Sequence, residues 1–297
     1  MTDSFTLPAG VHIGAIALSV RDLDRSLSFY AQVLGFHVLT RQGDQAALSA
    51  GLDHRPLFVL NEKPGARQRP PRTTGLFHVA ILYPSHEALG TALHLLHRQE
   101  YPLRGASHHG VSEALYLVDP DKNGIELYAD VPREQWKWVE GKVQMVTEPL
   151  DMERLLKESP SVGPAPIAPR TVIGHIHLQV SDLEQSARFY SDLLGFRITQ
   201  SNYPGALFLA AGEYHHHIGL NIWGGAGAPP PPEASTGLRS FTIAIPGSGT
   251  FERLVAHLRA AGIDASPEVS PATGLEFSLE DPDGIRVVIG MDSVSET

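Results

Sequence analysis

The sequence predicts an α+β protein made of four modules, each a strand, a helix and then several strands, and two internal repeats predict it. Ile13 to Phe36 recurs as Ile173 to Phe196 at an offset of 160, with thirteen of 24 positions identical. A weaker repeat lies inside each half: Gly75-Leu76-Phe77-His78-Val79-Ala80-Ile81 corresponds to Gly237-Leu238-Arg239-Ser240-Phe241-Thr242-Ile243, at an offset of 162. A chain of 297 residues, 42% of them apolar, is long enough to bury one or two full cores without covalent staples.

Each copy of the long repeat opens with alternating apolar residues, a strand signal. It passes through Asp22 or Asp182 as a helix N-cap and continues with apolar residues at helical spacing up to a C-capping Gly35 or Gly195. Strand-type runs follow at Leu57 to Leu60 in the first half, and at Ala206 to Ala211 and Ile218 to Trp223 in the second. The short repeat opens a further strand, which leads into helical stretches at Glu87 to Arg98 and Thr250 to Ala261. Each then closes on a turn and strand: Asp119-Pro120-Asp121 into Gly124-Ile125-Glu126-Leu127-Tyr128, and Asp281-Pro282-Asp283 into Gly284-Ile285-Arg286-Val287. The predicted organisation is a first pair of modules (1 and 2) in 1–134, a connector in 135–170, and a second pair (3 and 4) in 171–297. The connector carries a helical candidate, Leu150 to Glu158, and a Pro-rich stretch, Pro160 to Pro169, and could reach across a domain face.

Composition removes several classes of function. The 33 acidic and 23 basic residues give a formal net charge of −10, with no basic run, so neither nucleic acid nor an anionic membrane surface is expected as a partner. The absence of cysteine excludes disulfide frameworks, zinc ribbons and thiol nucleophiles and leaves His, Asp and Glu to ligate any metal. No apolar run approaches the roughly 20 residues that span a bilayer, and Met1 to Gly10 lacks the order of a signal peptide, so a cytoplasmic protein is expected.

The order strand-Asp-Leu-x-x-Ser-x-x-Phe-Tyr-x-x-x-Leu-Gly-Phe, paired with the later Asp-Pro-Asp turn, resembles the vicinal oxygen chelate superfamily over nearly the whole chain outside the connector. Four such modules are similar to the two-domain extradiol ring-cleaving dioxygenases of the catechol 2,3-dioxygenase type. The resemblance implies four βαβββ modules that form two curved-sheet, glyoxalase/dioxygenase-like barrels around a metal-containing cup.

The resemblance also implies where ligands stand: an inward residue on the first strand of a module, and a carboxylate on the last strand after the Asp-Pro turn. The first-strand positions are Ala15, His78, His175 and Ser240, and the last-strand positions are Glu126 in module 2 and Arg286 in module 4. His78, His175 and Glu126 therefore make the two-imidazole, one-carboxylate facial triad that suits non-haem Fe(II), with Mn(II) as the other ion. Strand alternation puts His177 on the face of His175, as ligand or supporting residue; the seven-residue step from His175 to Asp182 is the one that the ligand shows in the family resembled, which favours His175. Modules 1 and 4 look blank, so a complete site needs module 2 beside module 3. The connector permits that pairing, 2 with 3 and 1 with 4, and a site shared between protein chains is the alternative.

Further residues follow from the same resemblance. Gly212-Glu213-Tyr214-His215-His216-His217-Ile218 is similar to a segment in which one histidine sits beside O₂ as acid and base. Aligning Ile218 selects His216, with His215 and His217 as alternatives and a plain metal-binding tract as the other reading. Tyr116, ten residues before Glu126, matches a substrate-binding tyrosine, and His109 matches the histidine that helps to close the site. Gly224-Gly225-Ala226-Gly227 lacks the Lys-Ser/Thr of a phosphate loop, Ser107 near His108 lacks a nucleophile elbow, and His94 with His97 fits an amphipathic surface helix. Trp136 and Trp138 are expected to pack or to cover an opening. The expected activity is insertion of O₂ into a catechol-like diol, a small aromatic partner, by a chain that could be a homo-oligomer. The rivals are a glyoxalase-like metal-dependent lyase or isomerase and a metal-free, antibiotic-sequestering binding protein.

Overall fold

Each first-strand helix is started and stopped by its own residues. The side chains of Asp22 and Asp182 accept from the backbone N–H groups of Arg25 (2.9 Å) and Gln185 (2.8 Å), capping helices Leu23–Leu27 and Leu183–Ala187. Both helices then widen into a π-helical turn, Ser28–Val33 and Arg188–Leu193. Gly35 and Gly195, at φ +84° and +87°, end them in a conformation that side chains disfavour. These details come from a computed structural model of the chain that describes residues 5–51, 55–160, 166–270 and 274–292.

The modules pair across the two halves of the sequence. Among the described residues one sheet has eight strands. In spatial order, module 4 supplies Glu268–Ser270, Gly274–Glu280, Arg286–Asp292 and Gly237–Pro246, and module 1 then supplies His12–Val20, Phe58–Glu62, Gln45–Ser49 and His37–Gln42. A second has nine: Glu148–Pro149 of the connector; Gly105–His108, Ser112–Val118, Gly124–Asp130 and Gly75–Leu82 of module 2; then Val172–Gln179, Ile218–Asn221, Ala206–Ala210 and Arg197–Gln200 of module 3. A two-stranded hairpin, Trp138–Val139 with Lys142–Val143, lies in the connector. The first strands meet antiparallel at the centre of each sheet, and within a module the first and last strands run parallel. The pairing of 2 with 3 and 1 with 4, expected from the positions of the ligands, is the one found. One contiguous apolar core draws on all four modules, with Ile16, Leu18, Val79, Ile81, Ile176, Leu178, Phe241 and Ile243 buried in it.

A second set of bonds ties the modules that are neighbours in sequence. Tyr30 of module 1 donates its hydroxyl to Asp119 Oδ2 of the module 2 turn (3.1 Å), and Tyr190 of module 3 does the same to Asp281 Oδ2 of module 4 (2.9 Å). Burial pushes both carboxyls up, each to about 6. Arg25 and the Arg21 backbone N–H add further bonds to Asp121. The repeated Phe-Tyr and Asp-Pro-Asp motifs are thus two halves of one fastening, used twice.

Three expectations need adjustment. The connector helix is Met152–Glu158, because Asp151 caps it through Arg154 N–H (2.9 Å); part of the Pro-rich stretch, 161–165, lies outside the described residues. The strand expected to run to Trp223 ends at Asn221, and the His215-His216-His217 segment precedes that strand as a loop. Ser240 pairs with Arg286 where His78 pairs with Gly124, so the residue in the register of Glu126 is Val288 and not Arg286. The two turns are equally long, each closed by a backbone bond four residues on (Asp119 N–H to Asn123 O, Asp281 N–H to Ile285 O), so matching Gly124 with Gly284, which lies inside its turn, displaced the register by two. Ala15, Ser240 and Val288 still leave the positions equivalent to the triad without a metal-ligating side chain.

Candidate active site

Sheet register assembles the site. His175 lies opposite Ala80, Ala80 opposite Glu126, and Glu126 opposite Tyr116, so four adjacent strands present one row of side chains. His78 stands two residues before Ala80 on the same face and pairs with His177 in the next row. Alanine at position 80 leaves a hollow in the middle of the row, and the flanking side chains converge over it. The ladder skips Gly174, just before His175, and a Cβ there would sit 1.7 Å from the Tyr128 hydroxyl, so this bulge admits only glycine.

The three chemically active atoms nearly touch. Glu126 Oε2 is 2.9 Å from His78 Nε2 and 3.2 Å from His175 Nε2, and the two imidazole nitrogens are 3.3 Å apart. Ligand atoms at right angles around an ion with bonds of about 2.1 Å stand about 3 Å apart, so this spacing is that of three ligands on one octahedral face. Their ionisation fits as well. Burial works to raise the Glu126 carboxyl, but His175 and His78 outweigh it and hold it well below the usual range, as a carboxylate. Burial pushes His175 down to about 4, leaving a neutral imidazole with a lone pair to give. Among the described residues these three form the group of His, Asp and Glu side chains with this spacing, and a His-His-Glu triad of this kind suits a divalent metal.

His177 stands outside the triad. Its ring packs among Phe77, His78, Phe208 and Trp223, and its buried Nε2 has no partner. Burial, followed by the neighbouring His78 and His175, holds its pKa well below the ordinary value. A Cβ on Gly219 would come within 2.8 Å of this ring, so glycine opposite His177 makes room for it.

The triad lies at the base of a cavity of about 300 Å³, walled by Phe77, Phe208, Trp223 and Tyr203 and also lined by Tyr116, His109 and His216. The three expected ligands, their alternative His177, and Tyr116, His109 and His216 therefore border one space. Hydrogen-bond polarity then orients two of them. His109 Nδ1 faces the Val146 carbonyl at 2.8 Å, which can only accept, so Nδ1 carries a proton, and in the neutral imidazole Nε2 is then the acceptor. Tyr116 consequently donates its hydroxyl to His109 Nε2 (2.7 Å), and the phenol oxygen keeps lone pairs to accept a bond from a hydroxyl in the cavity. Burial, then the Glu126 charge, holds the phenol pKa well above its ordinary value, so it stays protonated. His216 lies with its ring centre 4.1 Å from that of His175, and burial, then His175, keeps it neutral by lowering its pKa well below the usual value.

The connector closes the cup. Met145 and Thr147 line the cavity, Gln200 donates to the Val143 carbonyl (2.9 Å), and Lys142 donates to the Ser201 hydroxyl (2.7 Å). Trp136 is buried against Tyr214 and His215, and Trp138 lies under Arg197. Sequence reasoning missed the aromatic wall and the lining from the connector, for which spacing offers no signal. It also passed over Asp130, although Glu126, Tyr128 and Asp130 alternate onto one strand face. Among the described residues no helix is long and apolar enough to cross a membrane.

Comparison with known proteins gives the same architecture. The chain is 45% identical over 275 residues to a catechol-2,3-dioxygenase of Bacillus subtilis, covering 91% of this chain and 94% of that protein. It is 29% identical over 129 residues to biphenyl-2,3-diol 1,2-dioxygenase 3 of Rhodococcus globerulus, covering 42% of this chain and 68% of that one. Among solved structures, a putative dioxygenase from Bacillus subtilis superposes with a TM-score of 0.65 at 13% identity, covering 97% of this chain and 87% of that one. Glyoxalase I from Zea mays superposes with a TM-score of 0.55 at 18% identity, covering 95% and 92%; both show a shared fold. The family model of the Glyoxalase/Bleomycin resistance protein/Dioxygenase superfamily matches residues 12–127 and 172–289, one repeat in each half. With both repeats matched and their curled mixed sheets in place, the chain belongs to that superfamily.

Proposed function

We propose that this chain is an extradiol ring-cleaving dioxygenase that inserts O₂ into a catechol-like diol, with Fe(II) held by His78, His175 and Glu126. The observation that carries the reading is the buried triad, its donor atoms 2.9 to 3.3 Å apart, at the base of an aromatic-walled cavity. The near full-length relative named catechol-2,3-dioxygenase supports it. The chemistry supplied by Fe(II) when bound is chelation of two vicinal oxygens, with open positions and redox activity toward O₂.

The protein's own groups do the rest. Phe77, Phe208 and Trp223 sandwich a flat ring and exclude water from the triad. Tyr116, its own proton committed to His109, accepts a hydrogen bond from a ring hydroxyl and fixes which oxygen lies beside Glu126. His216, neutral and with its ring against that of His175, takes a hydroxyl proton and returns it to an oxygen of the product.

The test is oxygen uptake by protein loaded anaerobically with Fe(II) and offered substituted catechols. The expected result is one O₂ consumed per diol, a yellow ring-opened product, and no turnover when Zn(II) replaces iron or when one hydroxyl is methylated. Activity with Zn(II), or without O₂ on a substrate also accepted in air, would replace this reading with a glyoxalase-like isomerase or lyase.

A further inference from the structure

Behind His216 runs a line of hydrogen bonds that ends at Asp130, on the strand face that also carries Glu126. His215 is fully buried between the rings of Tyr214 (4.1 Å between centres) and Trp136 (5.1 Å). Thr199 pins its backbone by donating to the His215 carbonyl at 2.6 Å. Its Nε2 is 3.0 Å from Asp130 Oδ1, and its Nδ1 is 2.8 Å from Nδ1 of His216. Asp130 is the last residue of the strand that carries Glu126, and Tyr214 donates its hydroxyl to the same carboxylate oxygen at 3.2 Å.

The polarity of this line follows from its end. A carboxylate accepts and cannot donate, so the proton facing Asp130 belongs to His215 Nε2. A neutral His215 then has a bare Nδ1, and the proton between the two Nδ1 atoms must sit on His216. That leaves His216 with a bare Nε2, the nitrogen not engaged by His215. We propose that Asp130 and His215 are positioning residues that hold His216 in the tautomer whose Nε2 can accept a proton from the substrate. The proposal rests on the reading of His216 as the acid-base group. The step balances simply: the hydroxyl O–H bond breaks, its electron pair stays on oxygen, and the proton adds to the Nε2 lone pair. The positive charge formed on His216 is shared through the Nδ1–H···Nδ1 bond with His215, which faces the Asp130 carboxylate. The reverse movement returns the proton. Two adjacent histidines are needed because one ring faces the cavity while the other reaches the carboxylate.

The test combines tautomer and rate. ¹⁵N-histidine NMR of the full-length, diamagnetic zinc-loaded protein should show His216 protonated at Nδ1 and bare at Nε2, with His215 the opposite. In His215→Phe and in Asp130→Ala, His216 should become a mixture of tautomers. The iron-loaded variants should lose kcat by about 10²-fold, within the range for acid-base groups, while metal content and KM for a catechol stay unchanged. His215→Asn, whose amide oxygen can still accept from His216 Nδ1–H, should regain most of the rate. A wild-type His216 protonated at Nε2 overturns the proposal, as does a His215→Phe enzyme as fast as wild type when His216→Ala is slow. If the wild-type protein opens no ring at all, it is the functional reading that fails, and the NMR result still decides the tautomer.

Discussion

At the scale of single residues, the site depends on which nitrogen and which oxygen face inward. His78→Ala, His175→Ala and Glu126→Ala each remove one of three converging donor atoms, so each should lose bound metal on elemental analysis of the purified protein. His177→Ala should keep a full equivalent, because the unpartnered His177 Nε2 is not part of the triad. Metal retained in His175→Ala and lost in His177→Ala would reverse the assignment. His216→Ala keeps all three ligands and removes only the proton acceptor. Its kcat should fall about 10²- to 10⁴-fold with metal content and catechol binding intact, as measured by steady-state kinetics alongside a binding titration. These residues were visible in the sequence because a ligand set leaves a trace of residue type. The aromatic wall was not, since Phe77, Phe208 and Trp223 resemble core residues until register brings them to one cavity.

At the scale of elements, the connector is held by a short polar contact. Glu113, buried on the strand Ser112–Val118, binds His86 at the start of helix His86–Arg98 (2.9 Å) and Arg154 of helix Met152–Glu158. The bond to Glu113 raises His86 above its ordinary 6.5 against the opposing effect of burial; burial works to raise Glu113, and His86 with Arg154 holds it low. The contribution of His86 is therefore complete below about pH 6.5 and is lost as pH rises through its raised value. That of Glu113 is lost as pH falls through its lowered value. His86→Ala should cost about 0.5–1 kcal/mol near pH 6, given that His86 is part-exposed, and less at pH 8.5, measured by urea denaturation at the two values. An equal cost at both would show that the ion pair does not form. A helix was expected here, but its anchor is a contact between residues 27 and 41 positions apart, which periodicity does not register.

At the scale of the whole molecule, two kinds of link cross each other. The sheets join module 1 to 4 and 2 to 3, while the Tyr30–Asp119 and Tyr190–Asp281 bonds join 1 to 2 and 3 to 4. The four modules thus close into a ring of contacts, and neither half of the sequence holds a complete site. Tyr30→Phe and Tyr190→Phe should each lower stability by about 1–2 kcal/mol by leaving a buried carboxyl one donor short. Because the two pairs share no partner, the double variant should show the sum within about 0.5 kcal/mol in equilibrium unfolding. A double variant no less stable than either single one would mean that the two fastenings are not independent.

By itself the sequence determined the module count, the helix caps at Asp22 and Asp182, the glycine ends at Gly35 and Gly195, and the residue types able to ligate a metal. All of these depend on neighbours within a few positions, so spacing and residue type carry them. The pairing of module 2 with module 3 was legible only through chemistry, because His78 and Glu126 had no third ligand in module 1. What the tertiary structure alone decided was register. It left His177 beside the triad and not in it, and set Asp130 behind His215, whereas the place of Val288 as the counterpart of Glu126 was already contained in the constant offset of 162. Register depends on bulges such as the one at Gly174 and on strands brought together from distant parts of the chain. A shift of one residue turns a side chain from the cup to the core, and nothing local in the sequence records it.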